Sequence, residues 1–204
     1  MRRYIPGLTV FGLMTFGGAM AQAPDPNPEP MCKMCEGVYV PAEEIQAYAK
    51  KAVAEHRIDQ QVRDIDIGKA HVALGVEHRG KLDKPGPQAV AEHDLVSEVY
   101  HIIGGSARLK LGPNLVNKKR RPADEETVRL YNGPGNNADD VEGGVTYDLK
   151  PGDVVFVPAG TGHLFTHIDD HIDYIMVRID PDKITPLKDE TASKAYLGDR
   201  SGKP

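Results

Sequence analysis

His93 and Glu98 stand on either side of the short connection Asp94 to Ser97, and His163 follows Pro158-Ala-Gly160-Thr-Gly162 far along the chain. Two imidazoles and one carboxylate are the donor set of a facial triad, which holds a divalent metal and leaves coordination positions open. His167 follows four residues after His163, and an imidazole there can serve as a further ligand or as an acid–base group. Tyr100 shares a face with Glu98 if that stretch is a strand. By residue type alone, three such groups among eight His and thirty acids say little. The elements that must bring them together carry the argument.

The chain has 204 residues, enough for one domain with a sizeable core. Hydrophobic residues at 40% and charged residues at 27% exclude a disordered acidic chain and a multi-span membrane protein. With 21 Gly and 16 Pro, elements are short and turns many, which favours strands. A formal net charge of −5 argues against a nucleic-acid partner, which would ordinarily meet a basic excess.

Residues 42–56 lack Gly and Pro, and Ile45, Tyr48, Ala49 and Val53 fall on one helical face, predicting one amphipathic helix within residues 41–60. Beyond it the period becomes two. Strands are predicted over 62–67, 71–78, 98–103, 107–111, 145–149, 153–157, 163–168 and 172–179, divided by turns such as Gly104-Gly105, Pro151-Gly152 and Asp169-Asp170. No helices alternate with them, so the fold class is all-β, a sandwich or small barrel. Residues 112–144 break the rhythm. The basic run Lys118 to Arg121 in this stretch reads as a solvated face balanced by Asp124-Glu-Glu126, with an anion-binding lid as the alternative. Residues 183–204 read as a polar tail.

The N-terminus has the three parts of a secretory leader: basic Arg2-Arg3, the apolar run Leu8 to Ala21, and the small-x-small site Ala19-Met20-Ala21. As a helix that run spans about 21 Å, short of the roughly 30 Å hydrocarbon core. The mature protein is therefore expected to be periplasmic or secreted, with no membrane association after cleavage. Residues 22–40 form a Pro-rich tether that carries Cys32-Lys-Met-Cys35. That pair can be a local disulfide, a redox pair or part of a metal site; an exported chain favours the first.

Gly152-Asp-Val-Val-Phe-Val-Pro158-Ala-Gly160-Thr-Gly-His163 is similar at every fixed position to the second cupin motif, Gly-x₅-Pro-x-Gly-x₂-His. Glu98-x₆-Gly105 resembles the latter half of the first motif, and His93 stands where that motif's second His belongs. The first His of the motif is replaced by Ala91, and the Asn usual after the second motif is replaced by His167. The resemblance covers residues 61–182 and implies a jelly-roll, or double-stranded β-helix, barrel. It also implies a metal held by His93, Glu98 and His163, with His167 as an optional fourth ligand. Strand parity sets His163, Phe165 and His167 on one face, and Glu98 and Tyr100 on another. His167 and Tyr100 are then the candidate catalytic groups. His56, His71, His78, His101 and His171 read as structural or exposed, with His71 and His78 of opposite parity. The implied cofactor is a divalent metal, iron first, with manganese, zinc, nickel or copper as alternatives. The implied partner is a small organic molecule, and a homodimer is compatible with the sequence. Activities consistent with the resemblance are a non-haem dioxygenase-type oxidation, a lyase or isomerase reaction, or binding without turnover. The mature chain is expected to begin near Gln22, and mass spectrometry showing an intact Met1–Ala21 segment on the exported protein would overturn this.

Overall fold

The structure, a computed structural model, describes residues 26–33 and 35–199; the expected leader lies outside them. Residues 26–30 belong to a separate unit, exposed and without regular structure. The second unit starts at Met31, and Cys32 and Cys35 are joined in a disulfide there. It contains helix α1 (Ala42–Glu55) and strands β1 (Asp59–Asp66), β2 (His71–Leu82), β3 (Val90–His93) and β4 (Ser97–Gly112). Then come β5 (Asn114–Val116), β6 (Lys119–Arg120), a π-helical turn (Val128–Asn132), β7 (Gly135–Ala138), β8 (Asp140–Glu142) and β9 (Val145–Leu149). Strands β10 (Val154–Val157) and β11 (Gly162–Asp180) and helix α2 (Glu190–Gly198) complete it.

The nine-stranded sheet runs β1-β2-β11-β3-β7-β6, with β4 paired to β11 and carrying β9 and β10 as well. It forms the all-β fold expected from the many short apolar-alternating segments, consistent with the jelly-roll that the resemblance implied. Two pairs of predicted strands are single elements. The chain passes through Gly104-Gly105 within β4 and through Asp169-Asp170 within β11, because these two long strands pair with each other along their lengths and carry the irregular residues as bulges. Glu98, Tyr100 and Ile102 face inwards, each at most 2% exposed, while His101 and Ile103 face out. The barrel core gathers Ile102, Leu109, Phe165, Ile172, Tyr174 and Met176.

Helix α1 lies against β1 and β2, with Tyr48 and Ala52 buried and Ile45 and Ala49 packed beside them. Val53, expected on that face, is half exposed. Seven residues come closer to two full turns than eight, so Ala52 takes the inner position instead. The segment expected to be a polar tail contains α2. Asp189 caps it by accepting the Ala192 N–H at 2.8 Å, and Tyr196 stacks on Tyr48 at 5.4 Å between centroids. The irregular stretch 112–144 holds short strands and a π-helical turn, and β7 runs antiparallel to β3 with Gly135 opposite His93. A Cβ at Gly135 would lie 2.1 Å from the Glu92 carbonyl oxygen. Gly135→Ala is therefore expected to destabilise the fold by about 1–3 kcal/mol, as overpacking does, read as a lowered urea midpoint.

Candidate metal centre

His93 ends β3, Glu98 opens β4 and His163 opens β11, so three elements deliver one donor each. The turn before β11 is tied to β3 directly. Gly160, at φ +80°, donates its N–H to the His93 carbonyl at 2.7 Å, a left-handed conformation that a side chain would disfavour. The Ala159 N–H is accepted by Ser97 Oγ at 3.0 Å, which ties the same turn to the start of β4. The motif's Gly and Pro spacing thus serves to set His163 beside His93.

The three donors are buried and lie within 4.8 Å of one another. His93 Nε2 is 3.4 Å from Glu98 Oε1, His163 Nε2 is 3.7 Å from Glu98 Oε2, and the two imidazole centroids are 5.1 Å apart. A buried pair of imidazoles and a carboxylate facing one another is a set that can hold a divalent metal. The site borders a cavity of about 210 Å³, also lined by Ala91, Asn132, Tyr100 and the Arg79 and Arg121 side chains.

Burial acts first on each donor. It pushes the Glu98 carboxyl up, but His93, His163 and the Arg178 guanidinium outweigh it and hold the group well below the usual carboxylate range. Arg178 lies opposite Glu98 across β11 and β4, with Nε 3.5 Å from Oε1. Burial lowers His163 to about 4 against the pull of Glu98, so its ring is neutral and its lone pair is free for a metal. Tyr100 donates its hydroxyl to Glu98 Oε2 at 2.6 Å, and burial together with the Glu98 charge keeps that hydroxyl protonated. Burial and the Asp59 carboxylate raise Glu77 well above its usual range.

His167 does not join this group. Its side chain is 32% exposed and bonds Asp169 Oδ1 at 3.0 Å and the Asp83 carbonyl at 3.4 Å. The pairing of β11 with β4 slips between Phe165 and His167, where Leu109 and Arg108 oppose three residues. A bulge there breaks the alternation on which the shared face of His163, Phe165 and His167 depended. His167 lies outside the donor group and does not line this cavity, contrary to the expectation that it would face His163. Ala91, in the place of the absent first His, sits directly opposite His163 in the β3–β11 register. The remaining histidines lie elsewhere: His71 bonds the Thr185 carbonyl, His78 and His171 flank Asp173, His56 caps α1, and His101 is exposed.

Residues that the sequence reading passed over surround the donors. Arg178 and Glu77 come from the interiors of β11 and β2, and no local motif marks them. Arg121 ends the basic run read as a solvated face; Lys118 to Arg120 are exposed, but Arg121 is buried, because β6 pairs with β7 and turns it inwards. Its Nη1 lies 3.2 Å from His93 Nδ1, and its other two nitrogens bond Asn137 Oδ1 and the Asn136 carbonyl. Asn132, within the Asn-Gly-Pro-Gly stretch, places Nδ2 3.3 Å from His93 Nε2. The one sequence signal for both was the unusual length of the stretch that bears them.

The profile of the AraC-like ligand binding domain family matches residues 141–199, the span that includes the second motif. Among solved structures the chain is similar to a Bacillus halodurans protein, at 10% identity and TM-score 0.40 over 78% of this chain and 93% of the other. It is also similar to the DMSP lyase DddQ from Ruegeria pomeroyi, at 19% identity and TM-score 0.38 over 67% and 54%. A cupin protein from Bacteroides fragilis matches at 10% identity and TM-score 0.32 over 57% and 72%. At these values the likeness says nothing of activity. No curated protein sequence matches.

The same donors also set the protein's response to acid. The unfolded chain takes up a proton at a His near pH 6.5, whereas the folded, metal-free site accepts it at His163 only near 4. Below about 6.5 the unfolded state binds more protons, so this contribution to stability, whole above pH 6.5, is lost as pH falls towards 4. Glu98, held low, loses its contribution in the same direction at lower pH. The urea midpoint of metal-free protein is expected to fall between pH 7 and pH 4.5 more steeply in the wild type than in His163→Gln.

Proposed function

We propose that the protein is an exported, metal-dependent cupin enzyme of the mononuclear non-haem type, oxidising a small organic molecule. The observation that carries this reading is the buried convergence of His93, Glu98 and His163 on one wall of the cavity, with Ala91 where a further ligand would have closed the set. Two imidazoles and a carboxylate suit iron first, and manganese, zinc, nickel or copper as alternatives. When bound, the metal supplies Lewis-acid and redox chemistry at its open positions. The chain's own groups do the positioning. Tyr100 holds Glu98 Oε2 and Arg178 lies beside Oε1, so the carboxylate that would help hold the metal is fixed from both oxygens. Because Tyr100 keeps its proton and donates it to Glu98, it acts as a positioning group for that carboxylate rather than as a base. Arg79 and Tyr174, joined at 3.1 Å, form the opposite wall. The Cys32–Cys35 disulfide supports an oxidising compartment, periplasmic or extracellular. Among the described residues no helix is long and apolar enough to cross a membrane.

One observation favours a second reading, a cupin that binds a small ligand without metal. A metal-bound imidazole ordinarily donates its other N–H to an acceptor, yet the group beside His93 Nδ1 is Arg121, which can only donate. Metal analysis of untagged native protein, prepared without chelator, separates the two. The enzyme reading expects close to one metal per chain, loss of it in His163→Ala, and a visible spectrum of cobalt-substituted protein that azide perturbs. A protein that stays metal-free through reconstitution with iron, manganese, zinc, nickel and copper sinks that reading and leaves the binder. Arg121→Gln puts an acceptor beside Nδ1, and metal affinity is then expected to rise about tenfold by competitive chelator titration.

A further inference from the structure

Three guanidiniums and three carboxyls line the cavity beside the donors: Arg79, Arg121 and Arg178 against Asp59, Glu77 and Glu98. The acids are not shared evenly. All three gather on Arg178, with Asp59 accepting from its Nη2, Glu98 at 3.5 Å and Glu77 at 3.8 Å. Arg79 is left with Glu77, whose Oε2 lies 3.6 Å from Nη2, and burial together with Asp59 opposes the charge of that carboxyl. Arg121 has no ion pair among the described residues.

Arg121 is the sharper case. It is 7% exposed, and its bonds go to neutral groups: Asn137 Oδ1, the Asn136 carbonyl and His93 Nδ1. Glu125, Glu92, Glu98 and Asp94 attract it only from farther away. A guanidinium carries five N–H groups and keeps its charge when buried, so donors remain after these bonds are made. Arg79 spends one, from Nε to the Tyr174 hydroxyl at 3.1 Å, and rests on Phe165 with Cζ 4.9 Å from the ring centroid. A buried charge among neutral partners is costly until a counter-charge arrives. A divalent ion among His93, Glu98 and His163 would add further positive charge to the same space.

We propose that the molecule taken by this cavity is a small organic acid, its carboxylate received by the free N–H groups of Arg79 and Arg121. The planar fork of a guanidinium matches the two oxygens of a carboxylate. At about 210 Å³ the cavity falls below the roughly 300–1,000 Å³ usual for ligand sites, so the acid is short. Tyr100, Tyr174 and Met176 offer its carbon chain an apolar wall. The proposal rests on this cavity being the working site described above, and it holds for a metal-loaded enzyme and a metal-free binder alike.

The test is calorimetric titration of untagged protein, as isolated with its metal content measured and again after reconstitution with Zn²⁺. The probes are acetate, butyrate and hexanoate, with butyramide, butanol and inorganic phosphate for comparison. At least one acid is expected to bind about tenfold or more tighter than the amide and the alcohol in both preparations. That affinity should fall about 10- to 100-fold in Arg79→Gln and in Arg121→Gln, and less in Arg79→Lys, which keeps the charge but not the fork. Arg121→Gln should lose acid affinity without losing metal uptake, whereas a damaged fold would lose both. The proposal is overturned if no acid binds, if butyramide binds as tightly as butyrate, or if both Gln variants bind the acid as wild type does. Acid binding that needs Zn²⁺ and survives both substitutions puts the carboxylate on the metal, so the proposal falls while the metal reading stands. Phosphate binding more tightly than every acid overturns the organic acid as the ligand class. Arginine-dependent acid binding by protein that takes up no metal upholds the proposal and sinks the enzyme reading instead.

Discussion

The charge of Glu98, buried within a β-barrel, is the constraint around which the site is arranged. An isolated carboxylate at 2% exposure would be neutral, since removing such a charge from water costs several kcal/mol. Here His93, His163, Tyr100 and Arg178 surround it, and the result is a carboxyl held well below its usual range. Each of these partners comes from a strand interior or a strand end, so the pairing holds only when the sheet has closed. Breaking one partner leaves a buried charge under-compensated, and that asymmetry keeps the four groups in place.

Glu98 also explains why the neighbouring ionisable groups divide as they do. Arg178 is shared among Glu98, Asp59 and Glu77, and Asp59 repels Glu77 strongly enough to help keep that carboxyl protonated. One carboxylate beside the donors is held below its usual range and the next is raised above it, as their environments push them apart. Neutral imidazole at His163 and ionised carboxylate at Glu98 are the protonation states that a metal needs; burial supplies the first, and His93, His163 and Arg178 around Glu98 supply the second against burial.

The wall contributed by residues 121–132 differs in kind from the strand-borne donors. Arg121 and Asn132 both reach His93, one at each ring nitrogen, from a segment whose only regular elements are short. A barrel of short strands can vary such a segment without disturbing the pairing of β4 with β11, which separates the fold's stability from the tuning of its site.

Local signals settled the type of most elements, while the three donors that the fold brings together were singled out by the resemblance to the cupin motifs. Period-two alternation marked the strands, and the Gly and Pro positions before His163 marked the turn that aims it, because both are set by backbone sterics within a few residues. The same local reasoning misplaced His167, since a bulge between β11 and β4 depends on pairing that parity along one strand cannot reveal. It also treated residues 183–204 as a tail, though α2 is held by the stacking of Tyr196 on Tyr48 across most of the chain. Arg121 and Asn132 were visible only as members of a basic run and a turn. Their burial follows from the pairing of β6 and β7 and from the π-helical turn beside the cavity. What the chain alone determined was where donors sit on their own strands; which groups from distant segments meet them was decided by tertiary packing, because a buried charge selects partners by proximity in space and not along the sequence.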